Sequence, residues 1–290
     1  MTSKNRATPR PARVTLHALI RANYEAMPPA ERGLADTLLN FPGELASYSA
    51  TELARISNVS NSAVTRFVRR LGFSGYDEMR RTARHELENG APLYLFGHAS
   101  ADAPEGLVER HVETVVANLR ATFTAETGEL LDSLASAVAV APQVWITGFR
   151  HGRPLAEYLR WSLQHARPGI HLFPNAGETI GESIVDLGPE DVLIVFALRR
   201  RVPTIATIIE FALQKGARTA IVTDTSMIRT ERASWLLRCQ TRTKGPVDDH
   251  ASPLLFAHML TEQTMLKLKT DSRRRLANID EIHSMLSELE

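Results

Sequence analysis

The residues best suited to chemistry are small polar residues and arginines clustered between positions 49 and 70. In the major groove of DNA, asparagine pairs bidentately with adenine and arginine with guanine, while serine and threonine bond to either base. Arginines and helix N-termini also bind phosphates. The cluster therefore predicts binding to double-stranded DNA, and the residues expected to contact it are Ser49, Thr51, Ser60, Asn61, Ser62, Thr65, Arg66, Arg69 and Arg70.

The position of a residue within the cluster predicts whether it contacts base edges or phosphates. Residues 60–66 fall in the first turns of a predicted helix, where base edges come within reach of side chains. Arg69 and Arg70 follow one turn later and are expected to contact phosphates. Ser49 and Thr51 begin the preceding helix and have the same expected role.

Two short helices must position these side chains. Ser49 and Ser60 each precede an apolar set at helical spacing, and both are natural N-caps because a hydroxyl can accept the free N–H groups of a first turn. The turn at residues 57–59 separates the helices. A second interpretation, in which they merely belong to a helical bundle, fits the apolar pattern equally well. The basic outward face favours DNA binding.

The rest of residues 14–89 also predicts helices. Pro29 is well placed to open one of them, and Gly72 can provide the left-handed residue that ends the helix after Ser60. Residues 90–106 lose periodicity and gather Gly, Pro, Ala and Ser, which predicts a linker. We therefore divide the chain into a disordered tail (1–12), a DNA-binding domain (13–90), a linker (91–106) and a second domain (107–290).

The second domain alternates apolar strands with amphipathic helices. The strand candidates are Val144–Thr147, Ile170–Phe173, Val192–Ala197, Thr219–Thr223 and Trp235–Arg238. Helices are expected near 107–126, 128–140, 152–166, 178–186 and 203–215, and again over 250–290. Short, continuously apolar strands between helices indicate a parallel sheet covered on both faces.

Composition limits the class of protein. Residues 1–90 hold 13 Lys and Arg against 9 Asp and Glu, a net of +4, whereas residues 91–290 hold 21 against 24, a net of −3. A basic front suits a nucleic-acid module. The single cysteine, Cys239, forms no internal disulfide and reads as a small buried hydrophobe. Neither a membrane span nor a signal peptide is visible, which predicts a cytoplasmic protein.

The chain resembles the RpiR-type bacterial transcriptional regulators. The front half carries the resemblance in ELARISNVSNSAVTRFVRRLGFSGYDEMR, and the rear half carries it in VWITGFRHGRPLA, VLIVFALRRRVPT and KGARTAIVTD. The family implies an all-α helix-turn-helix domain followed by a three-layer α/β/α sandwich with a parallel sheet, of the sugar isomerase (SIS) type. It also implies DNA and a sugar-phosphate-like effector as partners.

The rear half departs from the family pattern in its two ligand loops. A typical SIS domain holds phosphate with serine-rich loops, whereas the loops here are 148–153 and 197–204, and only Thr204 keeps a matching hydroxyl. Arginine forks match phosphate or carboxylate groups, so we expect a small anionic metabolite. The candidate effector-binding residues are Gly148, Arg150, His151, Arg153, Arg199, Arg200, Arg201 and Thr204. Alternatively, the consecutive arginines are solvated or form ion pairs.

Two other functions remain open. We expect the rear domain to form a homodimer or higher oligomer through residues 107–126 and 250–290, and one alternative is that it only dimerises and binds no ligand. The apolar candidates for this contact, which an intramolecular core explains equally well, are Leu254, Leu255, Met259, Leu260, Met265, Leu266 and Leu268. A sugar-phosphate isomerase would need a positioned base. Glu178, Glu182 and His171 belong to no recognisable motif, so we expect neither catalysis, nor a cofactor, nor a metal.

Overall fold

The chain forms two compact units in the computed structural model, which describes residues 15–40, 45, 48–88, 106–227, 233–243 and 247–289. The predicted tail, and nearly all of the predicted linker, lie outside the described residues. The first unit ends before residue 104, and almost all of the remaining chain forms the second.

The first unit is entirely helical in its described part. Its helices are α1 (Leu16–Asn23), a short 3-10 turn (Tyr24–Ala26), α2 (Pro29–Asn40), α3 (Ala50–Ile56), α4 (Asn61–Arg70) and α5 (Tyr76–Glu88). Helix α4 packs against α2, α3 and α5. The shared core contains Leu34, Leu53, Phe67 and Met79, all fully buried. Burial of one apolar face per helix is what holds these short helices together.

The predicted helix ends are confirmed. The Ser49 hydroxyl accepts a hydrogen bond of 3.2 Å from the Glu52 N–H, and the Glu52 carboxylate accepts one of 2.7 Å from the Ser49 N–H, which completes a capping box. Ser60 caps α4 by accepting from the Ala63 N–H at 3.3 Å. Gly72 follows α4 with φ +87°, a left-handed conformation that favours glycine.

The second unit contains one parallel five-stranded sheet. Its strands are β1 (Val144–Gly148), β2 (Ile170–Phe173), β3 (Val192–Ala197), β4 (Arg218–Asp224) and β5 (Trp235–Cys239), arranged in the order β2-β1-β3-β4-β5. All five strand predictions are confirmed to within one residue at each end. Continuous apolar runs identify them well because strands that are covered on both faces bury most of their side chains, as β1 and β3 do at every position.

Helices cover both faces of this sheet. They are α6 (Leu107–Thr122), α7 (Ala125–Val140), α8 (Gly152–Ala166), α9 (Ile180–Ile184), α10 (Thr204–Gln214), α11 (Ala251–Leu268) and α12 (Thr270–Leu286). One core packs α7, α8 and α11 on the sheet around Phe196 and Phe256. The other packs α9 and α10 on it around Trp145 and Phe173. The predicted three-layer α/β/α sandwich is therefore confirmed.

The candidates for a dimer contact fall into different environments. Leu260 is fully buried in the core of this unit, whereas Leu254 and Leu266 are exposed. The predicted helix over 250–290 is divided at Lys269, whose φ of +48° interrupts the helical path between α11 and α12. Within the part of the chain that the structure describes, no helix is both long and apolar enough to cross a membrane.

Candidate functional site

Helix α4 has one sealed face and one open face. Ala63, Val64, Phe67 and Val68 are buried in the core of the first unit. Every other residue of the helix is exposed: Asn61, Ser62, Thr65, Arg66, Arg69 and Arg70. The structure thus brings the predicted DNA contacts of α4 together on a single solvent-facing surface, which we call the α4 surface.

The predicted serine and threonine contacts lie at or near the starts of α3 and α4. Ser60 Oγ lies 2.8 Å from Ser62 Oγ, and Thr65 Oγ1 donates to the Asn61 carbonyl at 3.1 Å. Ser49 and Thr51 are exposed at the start of α3. Hydrogen bonds from Ser49 lower the pKa of Glu52, which keeps this capping carboxylate ionised.

The three arginines of α4 have different surroundings. Arg70 Nε donates to the buried Glu31 carboxylate of α2 at 2.6 Å. The side chain of Arg66 is 63% exposed, and its Nε lies 4.0 Å from the same carboxylate. Arg69 is exposed, and its side chain has neither a hydrogen bond nor an ion pair with any residue that the structure describes. Arg66 and Arg69 are therefore the more accessible cations for an anionic partner.

The two predicted effector loops lie side by side because β1 and β3 are neighbours in the sheet. Glycines keep the first loop close to the end of β3. A Cβ atom at Gly152 would come within 2.6 Å of the Phe196 carbonyl oxygen of β3, and one at Gly148 would collide with the Gly152 carbonyl oxygen within the same loop. Both loops follow carboxyl ends of parallel strands, where open α/β sheets bind ligands.

Residues of the first loop point to different partners. Arg150 is exposed, with φ +54°. The His151 ring packs edge-to-face on His250, with the ring centroids 5.1 Å apart. Arg153 instead donates to Glu157 Oε1 at 2.7 Å and to the Pro174 carbonyl at 2.5 Å. The Arg153 side chain is thus already hydrogen-bonded next to the end of β2, and Arg150 is the accessible arginine of this loop.

In the second loop, two of the three arginines form internal ion pairs. Arg199 is buried and donates to both carboxylate oxygens of Asp248, at 3.0 and 2.5 Å. Arg201 donates to Asp224 at 2.7 Å and to the Ala197 carbonyl at 2.6 Å. Arg200 is exposed. Thr204 is exposed as well, at the start of α10.

Burial and neighbouring groups shift the pKa values of Asp224 and His250 at this edge of the sheet. Burial opposes ionisation of Asp224, but hydrogen bonds from Ser226 and the charge of Arg201 outweigh it and hold the pKa of Asp224 below its ordinary value. Burial also lowers the pKa of His250, and His151 lowers it further, against the opposing charges of Asp248, Asp249 and Asp224. His250 is therefore neutral at pH 7.

A buried hydrogen-bond donor of the second loop has no acceptor within the part of the chain that the structure describes. Arg199 Nη1 is buried, and no described residue accepts its hydrogen bond. A buried donor without an acceptor costs about 1–3 kcal/mol relative to a satisfied one. An anionic ligand oxygen that reached Nη1 would remove this cost.

The three residues considered for isomerase catalysis do not converge. His171 Nε2 donates to Gln143 Oε1 at 2.7 Å, next to the start of β1. Glu178 accepts from Asn175 at the opposite, carboxyl edge, beyond β2. Glu182 bonds to Thr179, which lowers the pKa of Glu182. Each side chain thus has a local partner.

Sequence reasoning assigns no role to three residues that the structure places in these sites: Glu31, Asp248 and His250. Glu31 is 39 positions from Arg70 in sequence, so no local spacing reveals the pair. A weak signal existed for the other two, since the polar run Asp248-Asp249-His250 directly precedes the apolar residues of α11.

Comparison with known proteins places the first unit in a family. Residues 14–90 match the helix-turn-helix domain of the rpiR family. The HTH-type transcriptional regulator HexR of Pseudomonas aeruginosa is 26% identical over 129 residues, which cover 44% of this chain and 45% of HexR. The chain spans about a third to a half of the length of the curated relatives it matches.

Solved structures share the fold of the second unit. The sugar isomerase domain of an RpiR transcription factor from Sphaerobacter thermophilus matches 61% of this chain and 99% of its own length, with 17% identity and a TM-score of 0.54. The Vibrio vulnificus NanR protein complexed with ManNAc-6P matches 94% of this chain and 99% of its own length, with 17% identity and a TM-score of 0.53. The predicted resemblance is confirmed: the chain combines an rpiR-family helix-turn-helix domain with a SIS-type fold.

Proposed function

We propose that the protein is a transcriptional regulator that binds DNA sequence-specifically through the α4 surface. The observation that carries this proposal is the division of α4 into a sealed apolar face and an open face of Asn, Ser, Thr and Arg side chains. Such a face offers base-reading groups in the first turns and phosphate-binding groups further along. Asn61 and Arg66 are the proposed base readers.

The test is whether the protein selects a DNA sequence. A randomised pool of duplexes is exposed to the protein at low salt, and the enriched duplex is compared with a scrambled version. We expect enrichment of one motif and tighter binding to it. Equal affinity for the selected and scrambled duplexes would refute the proposal.

We also propose that the second unit binds a small anionic metabolite at the loops after β1 and β3. Arg150 and Arg200 are exposed on adjacent loops, and Arg199 Nη1 offers a buried donor that has no acceptor among the described residues. NanR, whose fold is shared, was solved with the phosphosugar ManNAc-6P, which supports an anionic ligand of the phosphorylated or carboxylated sugar class. Binding of the metabolite at this edge of the sheet is expected to change the affinity of the protein for its DNA site roughly 5- to 150-fold, the usual range of allosteric coupling.

The competing function for this unit is dimerisation without a ligand. The pairing of Arg199 with Asp248 and of Arg201 with Asp224 favours it, because these cations are already neutralised. Arg153, Arg199 and Arg201 would then serve as structural residues, while Arg150 and Arg200 would be solvated.

Thermal unfolding separates these two functions. The protein is heated with inorganic phosphate, sugar phosphates and sugar acids. A ligand at 100 times its dissociation constant stabilises the folded state by about 2.7 kcal/mol. We expect one class of anion to raise the unfolding temperature, and the Arg150→Gln/Arg200→Gln double variant to lose the effect, unlike the exposed control Arg273→Gln. No shift with any anion would support the dimeriser.

A further inference from the structure

A buried carboxylate lies directly beneath the α4 surface. Glu31 occupies the first turn of α2, and its side chain is only 2% exposed. Its Oε2 accepts the 2.6 Å hydrogen bond from Arg70 Nε, while its Oε1 lies 4.0 Å from Arg66 Nε. A charge this buried requires a counter-charge, so Glu31 binds the cations of α4 from the inside of the domain.

Helical geometry explains which arginines Glu31 reaches. Arg66 and Arg70 are four residues apart and share one side of α4, and α2 packs against this helix. Arg69 is turned by about 100° from Arg70 around the helix axis. The carboxylate can therefore act on Arg66 and Arg70 together, while Arg69 stays free for an external partner.

We propose that Glu31 is a positioning residue for DNA reading. It orients the exposed guanidinium of Arg66, and it engages Arg70 as an internal partner. Arg70 therefore does not serve as a phosphate contact, contrary to the expectation from sequence. This inference rests on the proposed DNA-binding function and assigns a role to a residue that does not itself touch DNA.

The positioning role makes a prediction opposite to that of simple electrostatics. Glu31 adds a negative charge beneath a DNA-facing surface, so its removal should strengthen binding to every duplex if only net charge mattered. If Glu31 orients Arg66, its removal should instead lower the preference for the selected duplex over a scrambled one.

The first measurement concerns Arg70 and the salt dependence of binding. Each phosphate contact contributes about 0.9 to the slope of log affinity against log salt concentration. We expect Arg69→Gln to reduce the magnitude of this slope by about that amount and Arg70→Gln to leave it unchanged. An equal reduction in the Arg70→Gln protein would overturn the assignment of Arg70.

The second measurement concerns Glu31 and sequence preference. We expect Glu31→Gln to lower the ratio of selected to scrambled affinity by at least about fivefold, the lower end of what one base contact contributes. Adding Glu31→Gln to Arg66→Ala should cause little further loss, because both changes remove the same contact. Glu25→Gln is the control, since it removes an exposed carboxylate of the same unit.

Specific outcomes separate failure of this inference from failure of the function. If Glu31→Gln strengthens binding to both duplexes and leaves their ratio unchanged, the positioning role is wrong while DNA binding stands. If the unaltered protein selects no duplex at all, the proposed function itself is wrong. Circular dichroism monitors folding of each variant. If the Glu31→Gln variant does not fold, the dependence of affinity on salt concentration in the Arg69→Gln and Arg70→Gln variants still decides the role of Arg70.

Discussion

Arg199 is a charged residue that is buried and paired inside the second unit. Its side chain is only 5% exposed, and both carboxylate oxygens of Asp248 accept its hydrogen bonds. Removing one partner of a buried ion pair leaves the other charge uncompensated, which is far more costly than losing a surface pair.

We therefore predict that Asp248→Ala destabilises the second unit by roughly 3–5 kcal/mol. Urea unfolding followed by the fluorescence of Trp145, Trp161 and Trp235, the tryptophans of this unit, measures the change. Asp186→Ala is the control because Asp186 is exposed, and it should change stability little. A similar small effect in both variants would show that the Arg199–Asp248 pair is dispensable.

The lowered pKa of His250 predicts a pH dependence of stability. Because burial and His151 disfavour its charged form, the unfolded chain binds the proton more readily than the folded one. The stabilising contribution is complete above the ordinary histidine pKa of about 6.5 and is lost as pH falls from there toward the lowered folded value.

Unfolding experiments at pH 7.5 and pH 5.5 test this contribution. We predict that His250→Gln reduces the loss of stability between about these two pH values, which bracket the ordinary histidine pKa. His111→Gln, on the exposed side of α6, should leave the loss unchanged. An identical pH profile for the His250 variant and the unaltered protein would contradict the assignment.

At the scale of elements, sequence patterns located the strands and caps far better than the ion pairs. β3 is buried at every position, so its apolar run alone defines its ends. The caps Ser49 and Ser60 act on residues three positions away, within reach of local spacing. In contrast, Glu31 meets Arg70 and Asp248 meets Arg199 only through packing of distant elements, which periodicity does not encode.

The capping box of α3 predicts a specific loss of stability. Ser49→Ala removes the acceptor for the Glu52 N–H and should destabilise the first unit by about 0.5–2 kcal/mol. Thr51→Ala is the matched control: Thr51 is exposed in the same helix, and its side chain makes no hydrogen bond within the described chain. Chemical denaturation monitored by circular dichroism compares the two. If the control loses as much stability as Ser49→Ala, the cap contributes nothing of its own.

At the scale of the whole molecule, we propose that exposed apolar residues of the second unit form a homodimer contact, whether or not this unit also binds a ligand. Ile282, Met285 and Leu286 of α12 are exposed, as are Val108 and Val112 of α6. Large exposed apolar patches on a protein surface usually mark an interface. Paired DNA-binding domains would then contact half-sites about 34–36 Å apart or a multiple of this distance.

We predict that Met285→Glu/Leu286→Glu weakens the homodimer and lowers affinity for a duplex with two half-sites. Analytical ultracentrifugation measures the oligomeric state, and a binding assay compares one and two half-sites. Val185→Glu adds a charge at another exposed apolar position and should leave the dimer intact. A monomeric unaltered protein, or a dimer indifferent to the α12 changes, would contradict this arrangement.

The most direct test of the account is the pair of affinities that Arg66→Ala and Arg69→Ala variants show for the selected duplex and its scrambled version. If the α4 surface reads DNA, Arg66→Ala loses roughly 1–3 kcal/mol of discrimination between the two duplexes, whereas Arg69→Ala weakens both alike. If the two variants behave identically, or if neither changes binding, α4 is not the element that recognises DNA.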